Sequence, residues 1–520
     1  MRWVFLRPRN HSPYYDPEIQ EPLGLEYLAA SRCAVGDAVL VLDAALDAAS
    51  DTRLGRRTAA FQPDAVGFSL TTLQEVASLL AIFRECRTAL GGRNVSWLAG
   101  GNFVSTETSH ASALLPDEFR LVPYEGEAAL EDIAAGWRSA GVVGTPGCRD
   151  RVFPGRPVAD LDALHHPLRP FADRVLQAGW AFNLQASRGC CGRCRFCASP
   201  GMARDGVNRW RGRSPANLAE EMEALHRAYG AASFNLVDED FLGPPAMAES
   251  RARQFAEELR RRGLRLSFGI QVRPTSLSDA VIDALTAAGL TYMFMGLESD
   301  DPADLRRWGR PAASDPWRWV EQLRQRGAEI NVGVMLFHPH STLAGVRRFA
   351  EQLHRHRLLE FRAATNRLDA MPGSEYHRRA LAEGVIAADV AGPQPLPFRE
   401  AAVGALHQDL VLATEPLGPP SMHAICSLPP LLARRWLDAR CTPAVHQLQE
   451  TIAALDAATA LSVFSLLDAH EHRRGLPGLV ADLRRQNLSV ALAASDELAR
   501  RGFVSSSDVL REAIRIDAGM

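Results

Sequence analysis

The chain has 520 residues, of which 47% are hydrophobic and 23% are charged, so it holds enough apolar material for several packed cores. Its formal net charge of −3 argues against nucleic acid or an anionic membrane surface as the main partner, since both attract a strongly positive face. Lysine is absent from the sequence, which excludes a lysine Schiff base and a lysine-containing phosphate loop.

The first residues, "MRWVFLRPRN", are apolar over too short a stretch for a signal peptide, and no later run of about eighteen apolar residues indicates a membrane helix. We therefore expect a cytoplasmic protein with no membrane partner. Thiols stay reduced in the cytoplasm, so closely spaced cysteines indicate metal ligands or redox chemistry rather than disulfides.

Residues 1–140 alternate short apolar runs with amphipathic helical patterns, which is typical of an α/β fold with a Rossmann-like, doubly wound parallel sheet. Such sheets bind ligands beyond the carboxyl ends of their strands. We therefore expect a pocket near the residues that end three of these runs, namely Asp43, Ser69, Leu70, Thr71, Thr72, Gly100 and Gly101.

A linker rich in proline and glycine is expected over residues 141–180, with His165 and His166 as solvated or packed side chains rather than metal ligands. Residues 181–385 return to a strand-then-helix order with six candidate strands, the last of them "FRAATNR". Six units are too few for an eight-stranded barrel and predict a partial (βα)6 barrel of the TIM type. Residues 386–520 indicate a C-terminal α-helical region, either a cap over the barrel mouth or a module that docks a partner.

The segment "SRGCCGRCRFCASP" places four cysteines directly after the first predicted barrel strand, where such barrels keep their active sites. Cys191, Cys194 and Cys197 begin a ferredoxin-type run, but its fourth cysteine is missing. Cys190, Cys194 and Cys197 form a complete C-x3-C-x2-C pattern. Three thiolates on a cubane cluster leave one iron open to a further ligand, as a chemical site requires.

Structural zinc is the alternative, and it would need all four cysteines as ligands. Two adjacent cysteines rarely point at one tetrahedral centre. The spacing therefore favours an iron-sulfur cluster, with Cys191 as a neighbour of the ligands.

The C-x3-C-x2-C pattern with an aromatic residue, Phe196, before its last cysteine resembles the radical S-adenosylmethionine (SAM) superfamily. The resemblance implies a [4Fe–4S] cluster on Cys190, Cys194 and Cys197. The free iron would bind the methionyl amine and carboxylate of S-adenosylmethionine. One electron, from a reductant protein such as flavodoxin or ferredoxin, would then produce methionine and a 5′-deoxyadenosyl radical.

Three further stretches, "LVDEDFL", "QVRP" and "MGLESDDPADLRRWGR", match the pattern of that family at successive strand ends. The resemblance implies that S-adenosylmethionine is held by Asp238, Glu239, Asp240, Arg273, Glu298 and Ser299. The three acidic residues of the first stretch would hold the amine, the arginine the carboxylate, and the last two would lie near the nucleoside. Arg310 stands where the family often has lysine, so a cation is kept.

The amino-terminal domain resembles the cobalamin-binding domain of one radical SAM subfamily through "EPLGLEYLAA", "FQPDAVGFSLTT", "WLAGGNF" and "VPYEGEAAL". This implies that cobalamin is approached by Ser69, Leu70, Thr71, Thr72, Gly100 and Gly101, the glycines allowing close backbone contact. The D-x-H-x-x-G motif, whose histidine binds cobalt from below, does not occur in the sequence. Either cobalamin binds without a histidine ligand, which we favour, or the domain has lost the cofactor.

With cobalamin bound, we expect methylation of an unactivated carbon, or less often phosphorus, in a small molecule. A radical dehydration, rearrangement or oxidation without methyl transfer is a second hypothesis, and a non-catalytic iron-sulfur or zinc module is a third. His338, His340, Arg362 and Asn366 on the fifth and sixth predicted strands are candidates for substrate contact.

Overall fold

The computed structural model describes residues 1–10, 21–139, 151–199, 210–311, 315–472 and 476–500. The chain divides into two compact units. The first unit comprises Met1–Cys191, Cys197–Tyr229 and Met371–Gln394, and the second comprises Gly192–Phe196, Gly230–Ala370 and Pro395–Met520.

The first unit is built on a sheet of five strands, β1 (Arg2–Arg7), β2 (Ala38–Asp43), β3 (Ala65–Ser69), β4 (Ser96–Gly100) and β5 (Phe119–Val122). All pair in parallel, in the order β2-β1-β3-β4-β5. Alternate residues of β1 enter different cores, Val4 and Leu6 on one face and Trp3 and Phe5 on the other. Both faces are therefore covered, which confirms the doubly wound parallel sheet.

The helices of the first unit follow from the same pattern. They are Leu23–Ala34, Asp51–Ala60, Val76–Ala89, Asn102–Thr106, Thr108–Leu114, Gly126–Ser139, Ala172–Ala178, Pro215–Tyr229 and Glu375–Ala382, with 3-10 turns at Leu73–Glu75 and Leu161–Ala163. Leu23–Ala34 and Gly126–Ser139 supply apolar side chains to the core that contains Phe5. Short strands β6 (Phe182–Leu184), β7 (Ser187–Gly189) and β8 (Trp210–Gly212) follow, and β7 pairs with β8 in an antiparallel manner.

The predicted linker is anchored within the first unit by Arg169. Its guanidinium lies 3.1 Å from Glu21 and 2.9 Å from Glu221, and its side chain is 4% exposed. His165 is exposed and His166 is half-buried. Residues 141–150 of this predicted linker lie outside the described residues.

The sheet strands of the second unit are β9 (Ser233–Leu236), β10 (Ser267–Val272), β11 (Leu290–Glu298) and β12 (Glu329–Val334). They pair in parallel in this order. The helices between and after them are Pro245–Arg261, Asp279–Ala288, Pro302–Arg307, Pro316–Gln325 and Leu343–Arg355, with a 3-10 turn at Pro274–Ser276. The strand-then-helix order of the predicted partial barrel is confirmed, and all carboxyl ends of these strands lie at one edge.

The segment predicted as the sixth strand is a helix, Phe361–Thr365. The carboxylate of Glu360 accepts hydrogen bonds from the backbone N–H groups of Arg362 and Ala363, which caps the helix start. This local cap outweighs the strand-like pattern of "FRAATNR". Arg362 therefore lies in a helix, not on a strand as expected.

Asn366 lies at the end of that helix, and its side-chain amide donates to the carbonyl of Val334 at the end of β12. Strand-like pairing begins only after Asn366, where Arg367 forms a parallel β-bridge with Phe337. Two short strands complete this part of the chain, β13 (Asp369–Ala370) and β14 (Gln394–Pro395). The sixth strand position is thus shorter and later than predicted.

The C-terminal region is helical as predicted, with helices Ala401–Thr414, Gly418–Leu437, Thr442–His472 and Leu476–Arg500 and 3-10 turns at Glu415–Leu417 and Ala439–Cys441. Gly418–Leu437 contacts β9, β10 and β11. In the described part of the chain one stretch, Ala439–His472, is long and apolar enough to cross a membrane, a feature that sequence inspection missed. Half of its most apolar window is buried within the fold, against Gly418–Leu437 and Leu476–Arg500, as in the core helix of a bundle.

Candidate functional site

Most of the residues predicted to hold S-adenosylmethionine follow consecutive strands of the second unit. Asp238, Glu239 and Asp240 come after β9, and Arg273 comes directly after β10. Glu298 is the last residue of β11. Since these parallel strands end at one edge, the fold gathers the predicted side chains along it.

Asp240 and Arg273 form an ion pair at this edge. The Nε of Arg273 donates to Oδ2 of Asp240 over 2.7 Å, and its Nη2 donates to the carbonyl of Gly243 over 3.2 Å. Asp240 is 0% exposed and Asp238 is 2% exposed, whereas Glu239 is exposed. A carboxylate beside a guanidinium is complementary to the ammonium and carboxylate groups of an amino acid.

Glu298 sits in a strained conformation, with φ +68°. Its carbonyl accepts the N–H of Met335, and its carboxylate lies 3.3 Å from the guanidinium of Arg310. Burial raises the pKa of Glu298, and the charge of Arg310 opposes that rise. Ser299 is 4% exposed, and its Oγ accepts the N–H of Asp301 over 3.0 Å. Both predicted nucleoside contacts are therefore held in place by the fold.

The cysteine segment is an irregular loop with four cysteines, none of which forms a disulfide among the described residues. Cys194 is buried, and Cys190, Cys191 and Cys197 are half-exposed. The Sγ of Cys194 accepts a hydrogen bond from Nη1 of Arg310 over 3.5 Å. Reduced thiols on one loop, with a guanidinium at one sulfur, are a donor set that suits iron.

The part of the loop around Cys194 packs against the segment that follows Pro302–Arg307. Arg195 donates its N–H to the carbonyl of Trp308 over 2.9 Å, and the ring of Phe196 meets Trp308 edge-on at 6.1 Å. Gly309 has φ +68°, and a Cβ there would lie 3.0 Å from the carbonyl of Arg193. This segment therefore fixes the backbone of residues 193–196.

Among the described residues, no three Cys, His, Asp or Glu side chains converge closely enough to hold a metal ion. The fit to a cluster thus lies in the chemistry and spacing of the donors rather than in a preformed cage.

His338 is held by the protein on both ring nitrogens. Its Nε2 lies 3.0 Å from Asp304, and its Nδ1 accepts the N–H of His340 over 3.3 Å, which assigns the proton to Nε2. Its ring packs edge-on against Trp308 at 5.1 Å. His338, expected as a candidate for substrate contact, therefore supports the tryptophan that packs on the cysteine loop.

His340 lines a polar pocket of about 170 Å³ within the second unit, together with Ser299, Asp304 and Arg348. Burial, followed by the positive charges of neighbouring arginines, lowers the pKa of His340 to about 4. The imidazole is therefore neutral near pH 7 and can accept or donate a hydrogen bond.

A cavity of about 280 Å³ lies at the carboxyl ends of β3 and β4 within the first unit. Ser69, Gly100 and Gly101 line it as predicted, together with apolar side chains such as Phe5 and Leu98. No histidine belongs to the described residues that line it. The cavity lies where a doubly wound sheet binds its ligand.

The other predicted residues of this edge are engaged in local structure. Leu70 is fully buried, and its backbone pairs with Gly100 and Phe103. Thr71 donates to Glu75 over 2.5 Å, and Thr72 accepts a hydrogen bond from the amide of Asn10. They shape the loop beside the cavity rather than line it.

The cavity has a rim that sequence inspection missed, formed by Tyr124, Glu125 and Arg188. Tyr124 has φ +71°, and Arg188 pairs with Glu125 at 3.0 Å. Burial would raise the pKa of Glu125, but Arg211 and Arg188 hold it below its usual value. The available signal for Tyr124 and Glu125 was "VPYEGEAAL", which begins at the last residue of β5.

The fold and the site define a protein class: a partial parallel barrel with a cysteine-rich loop and with acidic and basic residues at consecutive strand ends, preceded in the chain by a doubly wound parallel sheet. Residues 184–353 match the family model described as the Radical SAM superfamily. The chain therefore contains a radical SAM domain, which confirms the identification made from the motif. Such a domain implies a [4Fe–4S] cluster and S-adenosylmethionine.

Three curated relatives are each 26% identical to the chain. An uncharacterized methyltransferase of Pyrococcus horikoshii, PH0819, matches over 56% of the chain and 63% of its own length. An anaerobic magnesium-protoporphyrin IX monomethyl ester cyclase of Synechocystis matches over 56% and 60%. The hopanoid C-3 methylase of Methylococcus capsulatus matches over 55% and 55%. The chain thus spans less than two thirds of each relative.

Two solved structures share the fold. The cobalamin-dependent S-adenosylmethionine radical enzyme OxsB with aqua-cobalamin bound has a TM-score of 0.72 at 14% identity, covering 100% of this chain and 84% of OxsB. The radical S-adenosylmethionine methyltransferase TsrM from Kitasatospora setae, with cobalamin and a [4Fe-4S] cluster bound, has a TM-score of 0.59 at 20% identity, covering 76% of this chain and 79% of TsrM. The similarity to OxsB extends through the C-terminal helices.

Proposed function

We propose that the chain is a cobalamin-dependent radical SAM enzyme that methylates an unactivated carbon of a small molecule. The observation that carries this proposal is that one chain combines a C-x3-C-x2-C segment, ion-pairing residues at consecutive barrel strand ends, and a preceding domain with a largely apolar cavity. We assign residues 1–140 to cobalamin, 141–180 to the linker, 181–385 to the radical SAM barrel and 386–520 to the helical domain.

The cysteine loop would hold the cluster through Cys190, Cys194 and Cys197, while Cys191 stays outside the ligand set. When bound, the cluster supplies one electron for cleavage of S-adenosylmethionine, and cobalamin supplies a transferable methyl group. The electron would come from a reductant protein such as flavodoxin or ferredoxin. The protein residues around the loop fix its backbone from Arg193 to Phe196.

The strand-end residues would bind S-adenosylmethionine by its charges. Asp240 would hold the ammonium group, with Asp238 and Glu239 beside it, and Arg273 would hold the carboxylate. Glu298 and Ser299 would accept hydrogen bonds from the nucleoside hydroxyls. Because Asp240 and Arg273 already neutralise each other, a zwitterion can enter between them without leaving a charge uncompensated.

The cavity of the first unit would receive the nucleotide tail of cobalamin. Its apolar lining suits an aromatic nucleotide base, and Gly100 and Gly101 leave room for close backbone approach. The names of the OxsB and TsrM structures support the assignment, since both were solved with cobalamin bound.

The first experiment measures iron and sulfide after anaerobic reconstitution, together with cleavage of S-adenosylmethionine. The variant with Cys190, Cys194 and Cys197 all changed to alanine is expected to lose both. Cys191→Ala is the matched control and is expected to keep both. A single tetrahedral zinc bound by wild type, with no cleavage, would overturn the proposal in favour of a structural metal module.

The second experiment uses protein expressed with cobalamin supplied and incubates it with methyl-labelled S-adenosylmethionine and candidate small molecules. Label is expected in the product. Cobalamin absent from the purified protein, or unlabelled product beside stoichiometric 5′-deoxyadenosine, contradicts methyl transfer.

A second candidate function is a radical oxidation or ring closure without methyl transfer. It is favoured by the named relative from Synechocystis, a magnesium-protoporphyrin IX monomethyl ester cyclase, which is as similar to this chain as the methylase. The unlabelled product of the second experiment would support it.

A further inference from the structure

One arginine of the second unit contacts both a cysteine of the loop and a strand-end carboxylate. The Nη1 of Arg310 lies 3.5 Å from Sγ of Cys194 and 3.3 Å from Oε1 of Glu298. Its Nη2 donates to the carbonyl of Gly296. These three acceptors belong to the cysteine loop and to β11, so a single guanidinium joins the two.

The contacts are largely shielded from water. The side chain of Arg310 is 8% exposed and that of Glu298 is 14% exposed, while Cys194 is 9% exposed. Charge interactions are stronger in such surroundings than at a surface, because less water screens them. The cation therefore acts on the Cys194 sulfur at short range.

The backbone leaves space for this arrangement at Gly296. A Cβ there would lie 2.8 Å from Nη2 of Arg310 and 2.8 Å from Oε1 of Glu298. Any side chain at position 296 would displace one of the two. The backbone N–H of Arg310 donates to the carbonyl of Leu305 over 2.9 Å, which fixes the backbone from which the arginine side chain extends.

We propose that Arg310 is a positioning residue for the iron-sulfur cluster, holding the sulfur of Cys194 and the carboxylate of Glu298 with one guanidinium and stabilising the reduced cluster by its charge. One-electron reduction adds a negative charge to the cluster, and a fixed cation nearby favours that form. Hydrogen bonds to the cluster sulfurs and a nearby positive charge both raise the reduction potential of such clusters, because each stabilises the more negative, reduced form. The inference rests on the proposed function for the presence of the cluster.

The test is a redox titration of the reconstituted full-length protein with titanium(III) citrate, followed by the electron paramagnetic resonance signal of the reduced cluster. Arg310→Gln is expected to shift the midpoint potential to more negative values. Arg310→Lys keeps the charge and is expected to stay close to wild type. Arg318→Gln removes an exposed arginine that pairs with Asp279 in the same unit and is expected to leave the potential unchanged.

Iron content and melting temperature of each variant are measured alongside. Iron lost from Arg310→Gln at an unchanged melting temperature also supports the proposal, because it shows that Cys194 needs this contact. If Arg310→Gln does not fold, the test uses Arg310→Lys instead. A midpoint potential of Arg310→Lys far below that of wild type would then show that the positive charge at position 310 does not stabilise the reduced cluster. A loaded Arg310→Gln with the wild-type potential overturns this inference alone, whereas a wild-type chain that takes up no iron overturns the proposed function as well.

Discussion

Arg273 donates a hydrogen bond from Nε to Oδ2 of Asp240 over 2.7 Å, although the two residues are 33 positions apart in the chain. Asp240 follows β9 and Arg273 follows β10, so the parallel pairing of these strands brings them together. Asp240 is fully buried, and the side chain of Arg273 is 13% exposed. The pair therefore stabilises the edge that carries the proposed cofactor contacts.

Changing Arg273 to Gln is expected to lower the free energy of unfolding by about 3 kcal/mol, because it leaves a buried carboxylate without its cation. Urea unfolding monitored by circular dichroism measures the change. The double variant Arg273→Gln, Asp240→Asn serves as the control and is expected to recover much of the loss. Equal unfolding midpoints for wild type and Arg273→Gln would show that the ion pair is not stabilising.

Changing Gly309 to Ala is expected to reduce iron retention, because the added Cβ would press on the carbonyl of Arg193 in the cysteine loop. Gly263→Ala is a matched control, since Gly263 has φ +66° against +68° for Gly309, and a Cβ added there would meet no atom within 4 Å. Both variants carry the left-handed strain of roughly 1–2 kcal/mol. Iron content after reconstitution separates them, and an equal content would refute the proposed support of the loop.

Changing Gly101 to Ala is expected to disrupt the cavity of the first unit. Its φ is +95°, and a Cβ would lie 2.4 Å from the carbonyl oxygen of Leu70, so the backbone beside the cavity must move. Gly92→Ala is the control, because Gly92 has a similar φ of +87° but a Cβ added there would meet no atom within 4 Å. This variant therefore shows the effect of the backbone strain alone. Cobalamin bound after incubation, measured by absorbance, is expected to fall only in Gly101→Ala. Wild-type binding by that variant would place cobalamin elsewhere.

Asp456 is expected to make the stability of the protein depend on pH. Burial and then the negative charge of Glu360 raise the pKa of Asp456 from 3.8 to about 8. Between these two pH values the folded state keeps a proton that the unfolded chain releases. The stabilisation is therefore complete below pH 3.8, declines as the pH rises, and is lost once the pH has passed about 8. The loss has a slope of up to about 1.4 kcal/mol per pH unit.

Urea unfolding at a series of pH values checks this expectation. Asp456→Asn cannot release the proton, so its stability is expected to decline less with rising pH than that of wild type. Asp468→Asn, on the same helix but with 65% of its side chain exposed, is the control and is expected to follow wild type. If the free energy of unfolding falls equally with pH in wild type and in Asp456→Asn, the raised pKa of Asp456 is contradicted.

The alternation of apolar runs and helical patterns was sufficient to predict both parallel sheets, because burial on both faces imposes this pattern on every strand. The spacing of Cys190, Cys194 and Cys197 was sufficient to predict the radical SAM domain, since all three predicted ligands lie within one loop and their spacing can be read directly from the sequence. The residues at strand ends were also predictable. Parallel strands share one edge, so the order of strands along the chain already places Asp240, Arg273 and Glu298 there.

The tertiary structure decided what these residues contact. Arg310 and Cys194 are 116 positions apart, and only the close packing of Gly309 on the loop brings the guanidinium to the sulfur. The segment predicted as a strand is the helix Phe361–Thr365, because Glu360 caps its start. The two backbone hydrogen bonds that this carboxylate accepts outweigh a short strand-like pattern. The periodicity of apolar residues predicts which face of a helix or strand is buried. The partner of each polar side chain instead depends on how loops that are distant in sequence pack together, and a local sequence pattern does not contain that information.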